Sequence, residues 1–131
     1  MIHEELSGEV IGAAMAVLNE LKPGLDEKLY ERALIIELKQ RGHTISVQSS
    51  FPVFYRAELI GNLVPDLIVD NAVIIDPKVV EEFNQDHFAQ MLGYLAITGL
   101  ELAILINFKH ASLRWKRIIN SGAEPDGEIT L

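Results

Sequence analysis

Two apolar runs limit the possible folds of this chain more than any other feature: Ala72 to Val80 (AVIIDPKVV) and Leu102 to Phe108 (LAILINF). Short apolar runs bounded by turn residues read as strands buried in a sheet. Such strands need cover, and the flanking segments supply helices. Residues 4–21 place Leu6, Val10, Ala14, Val17, Leu18 and Leu21 at helical spacing, and Pro23-Gly24 ends that helix. A second helix is predicted from about Asp26, as N-cap, to Arg41, with Leu29, Ala33, Leu34, Ile36 and Leu38 apolar and Gly42 as its stop. A third covers residues 84–98, with Phe88, Met91, Leu92 and Leu95 on its apolar side and Gly99 as the stop.

The remaining segments carry β-forming residues. Residues 44–55 (TISVQSSFPVFY) read as one partly alternating strand, and residues 58–62 as a turn or hairpin region around Gly61. Leu63 to Val69 form the next strand, and Asp70-Asn71 is a turn signal leading into Ala72 to Val80. Leu113 to Ile119 form a last, more exposed strand. The predicted order is α-α-β-β-β-α-β-β, a mixed α+β fold with a central mixed sheet flanked by helices. At 131 residues the chain suits a single domain, expected over 1–121, followed by an acidic and flexible tail at 122–131.

Composition removes whole classes of function. With no cysteine, disulfides, zinc knuckles, iron–sulfur clusters and thiol catalysis are excluded, and a cytoplasmic setting is expected. No apolar run approaches the roughly 18 residues of a membrane helix, so no membrane partner is expected. There are 19 acids and 11 bases, a net charge of −8. That balance argues against broad affinity for a phosphate backbone, which is bound mainly by cations, although a local basic face or a bound metal can overcome it.

Two acids interrupt apolar strands: Asp66 in VPDLIV and Asp76 in VIIDPKVV. Asp76 and Lys78 are two apart on a strand and share a face. Pairing through the Asp70-Asn71 turn would bring Asp66 close to Asp76. Two carboxylates beside an ammonium in a partly dry place suit a hard divalent cation with a charged helper. The plainer alternative is a pair of strand-end acids balanced by Lys78 in a structural ion pair. Spacing alone leaves both open. Gln90 and Tyr94 are four apart and share a helical face with His87; packing of the Tyr94 ring with a capping role for Gln90 is the ordinary alternative.

These motifs resemble the PD-(D/E)XK nuclease superfamily and, more narrowly, its GxxExxY-type domain family. Gly24-Leu25-Asp26-Glu27-Lys28-Leu29-Tyr30 matches the naming motif, Pro65-Asp66 and Asp76-Pro77-Lys78 the two acidic motifs. His87-x-x-Gln90-x-x-x-Tyr94-Leu95 matches the helix motif and Leu105-Ile106-Asn107-Phe108 the following strand, so the likeness runs over roughly residues 4–119. It implies a restriction-endonuclease-like core and hydrolysis of DNA or RNA phosphodiester bonds with Mg²⁺ or Mn²⁺. Asp66 and Asp76 would be metal ligands, Glu27 an accessory ligand, Lys78 the catalytic lysine, and Gln90 and Tyr94 would contact substrate or order the acids. Asp76 stands where the family mostly has Glu, Pro77 replaces an apolar residue, and Leu18 and Lys22 replace a common His and Gly.

The rival expectation is a nuclease-like fold without cleavage, serving as a binding or assembly domain. A third is a hydrolase of smaller phosphoesters. A domain this small has little room for substrate recognition, so a homodimer or a protein partner is expected. Lys109, Arg114, Lys116 and Arg117, with His110 and Trp115, form a basic stretch. It reads either as a nucleic-acid face or, preferred, as a charged edge strand that discourages aggregation. His3, His43 and His110 lack ligand spacing and are expected at the surface.

Overall fold

The computed structural model describes residues 2–120; the acidic segment 122–131 lies outside the described residues. Its elements are α1 (Glu4–Leu21), α2 (Glu27–Gln40), β1 (Ile45–Val47), β2 (Phe51–Tyr55), β3 (Glu58–Leu63), β4 (Leu67–Val69), β5 (Val73–Lys78), α3 (Gln85–Thr98), β6 (Leu102–Asn107) and β7 (Arg114–Ile119). Five strands form one sheet in the order β1-β4-β5-β6-β7, while β2 and β3 pair in a separate ribbon. Only β5 and β6 run parallel within the large sheet. Parallel neighbours cannot be joined by a tight turn, and α3 is the crossover between them.

Alternation along β5 divides the core in two. Val73 and Ile75 face α1 and α2, packing with Val10, Val17, Leu34 and Leu38. Ile74 faces α3, packing with Phe88, Met91, Leu95 and Leu105. Asp76 and Lys78 continue the Ile74 side of the strand and therefore emerge on the α3 face. β6 is buried at every residue, as a strand with helices on both faces and neighbours on both edges must be.

The mixed sheet flanked by helices agrees with the sequence expectation; the path from 44 to 69 does not. Residues 48–50 break the expected first strand, so β1 joins the large sheet and β2 the ribbon. The expected turn at 58–62 is strand β3, and the strand expected from Leu63 begins at Leu67. The ribbon turns instead at Arg56-Ala57, with φ of 48° and 67°. These angles suit a two-residue hairpin, but neither residue carries the Asn or Gly that usually announces one. Gly61 lies opposite Val53, where the register shifts between Val53 and Phe54. A glycine inside a strand commonly marks such a bulge rather than a turn. Asp70-Asn71, by contrast, is the hairpin turn the sequence indicated, with φ of 52° and 53°.

Two polar residues tie the layers together against expectation. His43 is not a free surface histidine: its ring reaches Asp70 at 2.7 Å and Glu9 at 2.8 Å, joining α1 to the β4–β5 turn. The Asp70 hydrogen bond holds its pKa above the ordinary histidine value against the opposing effect of burial, and Glu9 adds to the rise. Arg117 does not belong to a surface basic patch. It is buried and donates to Ser7 Oγ at 3.1 Å and to the Ile2 carbonyl, locking β7 to the start of α1. Among the described residues no helix is long and apolar enough to cross a membrane.

Candidate active site

The α2 end of the site is set by the loop before it. Tyr30 is fully buried, stacked on Phe108 with ring centroids 4.8 Å apart. Its hydroxyl donates to the Lys22 carbonyl at 2.6 Å and accepts the Leu25 N–H at 3.1 Å. The 22–25 segment, with Gly24 at φ 113°, is thereby strapped over the head of α2. Only glycine takes that angle without strain. The spacing of Gly24, Glu27 and Tyr30 thus has a mechanical meaning: one residue turns the chain, one fastens it, and Glu27 is presented between them. Asp26 occupies the N-cap position, but its side chain makes no capping bond.

Asp76 and Lys78 lie where β5 leaves the core. Asp76 is 4% exposed, and Lys78 Nζ stands 3.3 Å from its Oδ2 and 3.4 Å from its Oδ1. Burial pushes the Asp76 carboxyl up to about 7; Lys78 opposes the rise, and a hydrogen bond with the Asp66 carboxyl reinforces it. The two acids therefore meet, with Asp66 arriving just before β4 along the chain. The neighbouring Asp66 carboxyl makes ionisation of Asp76 more costly still.

Glu27 joins this pair electrostatically. Although the residue is open to solvent, partial burial of its carboxyl raises its pKa; Lys78 lowers it, while Asp66 and Glu31 raise it. Among the described residues, no three His, Asp or Glu side chains gather closely enough to form a metal-binding group. Asp66 and Asp76 are brought together, and Glu27 stays at the rim.

On α3, Gln90 Nε2 donates to the Tyr94 hydroxyl at 3.0 Å. Burial raises the Tyr94 pKa, and the charges of Asp76 and Asp66 raise it further. Tyr94 thus keeps its proton beside the acid pair. Because Gln90 occupies an acceptor position on the phenol oxygen, the O–H remains available to donate elsewhere. Tyr94 packs against the α3-side core, as the ordinary alternative expects, while Gln90 binds its hydroxyl instead of a backbone group. His87 serves the helix itself. Its Nδ1 accepts the Asn84 N–H at 3.1 Å while Asn84 Oδ1 accepts the His87 N–H at 3.0 Å, closing a reciprocal cap on α3.

Glu31 is the residue that sequence reasoning missed. It is 4% exposed, Lys28 Nζ lies 2.6 Å from its Oε2, and its Oε1 is buried without a hydrogen-bond partner. The signal was its place in the stripe of Leu34 and Leu38, three and seven residues on, which puts an acid on the buried side of α2.

The sequence profile of the PD-(D/E)XK nuclease superfamily matches residues 4–118. No curated protein matches the chain significantly in sequence. Among solved structures, an alkaline exonuclease (LHK-Exo) from Laribacter hongkongensis and the same protein in complex with dAMP superpose at a TM-score of 0.50 and 13% identity. Each comparison covers 83% of this chain and 77% of the other, and the likeness is one of fold. The profile match spans nearly the whole chain: this protein belongs to the PD-(D/E)XK nuclease superfamily.

Proposed function

We propose that the chain is a metal-dependent nuclease that hydrolyses phosphodiester bonds of DNA or RNA. The observation that carries this reading is the buried Asp76 carboxyl, 3.3 Å from the Lys78 ammonium and brought next to Asp66 by the pairing of Leu67 with Ile75. The donor set suits a divalent ion such as Mg²⁺ or Mn²⁺, which is commonly held by one or two carboxylates with water and substrate oxygens completing its shell. Asp66 and Asp76 would hold it, with Glu27 as an outer acid. When bound, the ion lowers the pKa of a coordinated water and screens charge on the phosphate.

The other steps belong to the protein. Loss of the Asp76 proton readies its carboxylate, beside that of Asp66, for a cation. Lys78, anchored on Asp76, places a positive charge where a water or a phosphate oxygen needs stabilising. Tyr94, held by Gln90, offers a neutral O–H beside the same acids. The strap made by Gly24 and Tyr30 around Glu27 supports a finer placement among GxxExxY-type domains. A homodimer or a protein partner supplying substrate affinity also belongs to this proposal, because the chain carries 19 acids against 11 bases.

The test is cleavage of labelled single- and double-stranded DNA and RNA with Mg²⁺, with Mn²⁺ and with EDTA. Lys78→Ala and Asp66→Ala are expected to lose at least about 100-fold in rate while remaining folded. Calorimetry should show Mn²⁺ binding by wild type that disappears in Asp66→Ala. Absence of cleavage and of metal binding in the folded wild type would overturn the reading in favour of a non-cleaving binding domain.

A further inference from the structure

Beyond Lys78 the sheet opens into a cleft of about 360 Å³ whose lining includes Glu82, Phe83, Phe88, Asn107, Arg114 and Lys116. That volume falls in the range of small-molecule pockets. Strand register ties it to the acids. Lys78 lies beside Asn107 and Asn107 beside Arg114; one step back, Asp76 lies beside Leu105 and Leu105 beside Lys116. Register partners share a face, so Arg114 and Lys116 project on the same side of the sheet as Asp76 and Lys78, two strands away or about 10 Å.

The cleft is a built feature. Asn107 Nδ2 donates to the Val80 carbonyl at 2.6 Å, and its Oδ1 accepts the Val80 N–H at 3.2 Å and the Lys109 N–H at 3.1 Å. These bonds fix the segment that carries Glu81, Glu82 and Phe83 as one wall. Glu81, also in the lining, is neutralised by Lys109 at 3.5 Å, and its carbonyl contacts His110 Nε2 at 2.8 Å. With Lys109 included, three cations face two acids here, the reverse of the balance in the whole chain. Phe83 is half-buried and adds an aromatic wall.

We infer that this cleft binds a nucleotide of the polynucleotide substrate adjoining the scissile phosphate, with Arg114 and Lys116 on its phosphate and Phe83 against its base. The inference rests on the nuclease reading and adds a substrate subsite to it. Guanidinium and ammonium groups on one strand face hold phosphate oxygens, and an aromatic wall accepts any base by stacking. The basic stretch of β7 then serves as more than a guarded edge: Arg117 turns inward to Ser7, while Arg114 and Lys116 turn toward the cleft.

The experiment is binding of fluorescein-labelled DNA and RNA 12-mers in EDTA, where cleavage is suppressed, beside a Mn²⁺ cleavage assay. Arg114→Gln/Lys116→Gln is expected to bind at least tenfold more weakly. It should also flatten the slope of log affinity against log salt by about 1.4, the change expected when two cations leave a single-strand phosphate backbone. In the cleavage assay KM should rise with kcat little changed. Lys39→Gln, a cation at the far end of α2, should reproduce neither effect. Arg114→Gln alone, at an exposed strand position, should give part of the loss and guards against a folding defect.

The arms separate DNA from RNA as the polymer whose nucleotide is held. Equal binding by wild type and the double variant overturns the cleft, even if wild type cuts. Binding that the double variant loses, in a protein that cuts nothing, supports the cleft and overturns the nuclease reading. A wild type that neither binds nor cuts overturns both.

Discussion

β6 and β3 are both six residues long, yet they live in opposite environments. Every residue of β6 is buried, between β5 and β7 and under helices on both faces. β3 has only β2 as a partner, and all but its last residue are exposed. Phe54, Tyr55, Leu59 and Ile60 on the ribbon are each more than half exposed, whereas Ile104, Leu105 and Ile106 on β6 are fully buried. The difference lies in surroundings rather than in strand length. Burial at the centre makes the sheet strong, and the same dryness perturbs Asp76 where β5 emerges. A two-stranded ribbon excludes too little water to do either.

The largest effect is expected at the centre of the sheet. Ile104→Ala should cost about 2–5 kcal/mol in urea unfolding, because the cavity it leaves is closed on both sides by packed chain. A cost under about 1 kcal/mol would show that the central strand is looser than its burial implies, and the contrast with β3 would collapse.

A second test probes the dryness where the sheet meets the site. In the metal-free protein the folded carboxyl of Asp76 titrates near 7, against an ordinary value of 3.8. Below about pH 4 it is protonated in both states and costs nothing; between the two values only the unfolded chain ionises, so stability falls as pH rises. Above 7 the full penalty of a buried charge is present. Asp76→Asn should therefore be more stable than wild type at pH 8 in EDTA, by on the order of 4 kcal/mol, with the gap closing toward pH 4. Thermal unfolding across that range is the measurement, and a gap independent of pH would remove burial as the cause.

The ribbon should respond least. Phe54→Ser/Leu59→Ser replaces a cross-strand pair exposed on both sides, and its unfolding free energy should stay within about 1 kcal/mol of wild type. A loss comparable to Ile104→Ala would mean that something covers this face in solution, which analytical ultracentrifugation of wild type and variant would reveal.

What local periodicity can encode was legible in the amino-acid order. Leu34 and Leu38 on a helical stripe, Gly99 as a stop at φ 75°, the Asp70-Asn71 turn, and Asp76 and Lys78 on one side of a strand all follow from spacings of a few residues. Hairpin geometry could be read only where its residues advertised it, which is why Arg56-Ala57 was missed and Gly61 mistaken for a turn. Which distant segments meet was settled by packing. The approach of Asp66 to Asp76, the inward turn of Arg117 and the alignment of Arg114 with Asn107 and Lys78 depend on strand order and on how far water is excluded. Side-chain period is a property of one strand, whereas neighbourhood and dryness belong to the packed sheet, and the chemistry of this site draws on both.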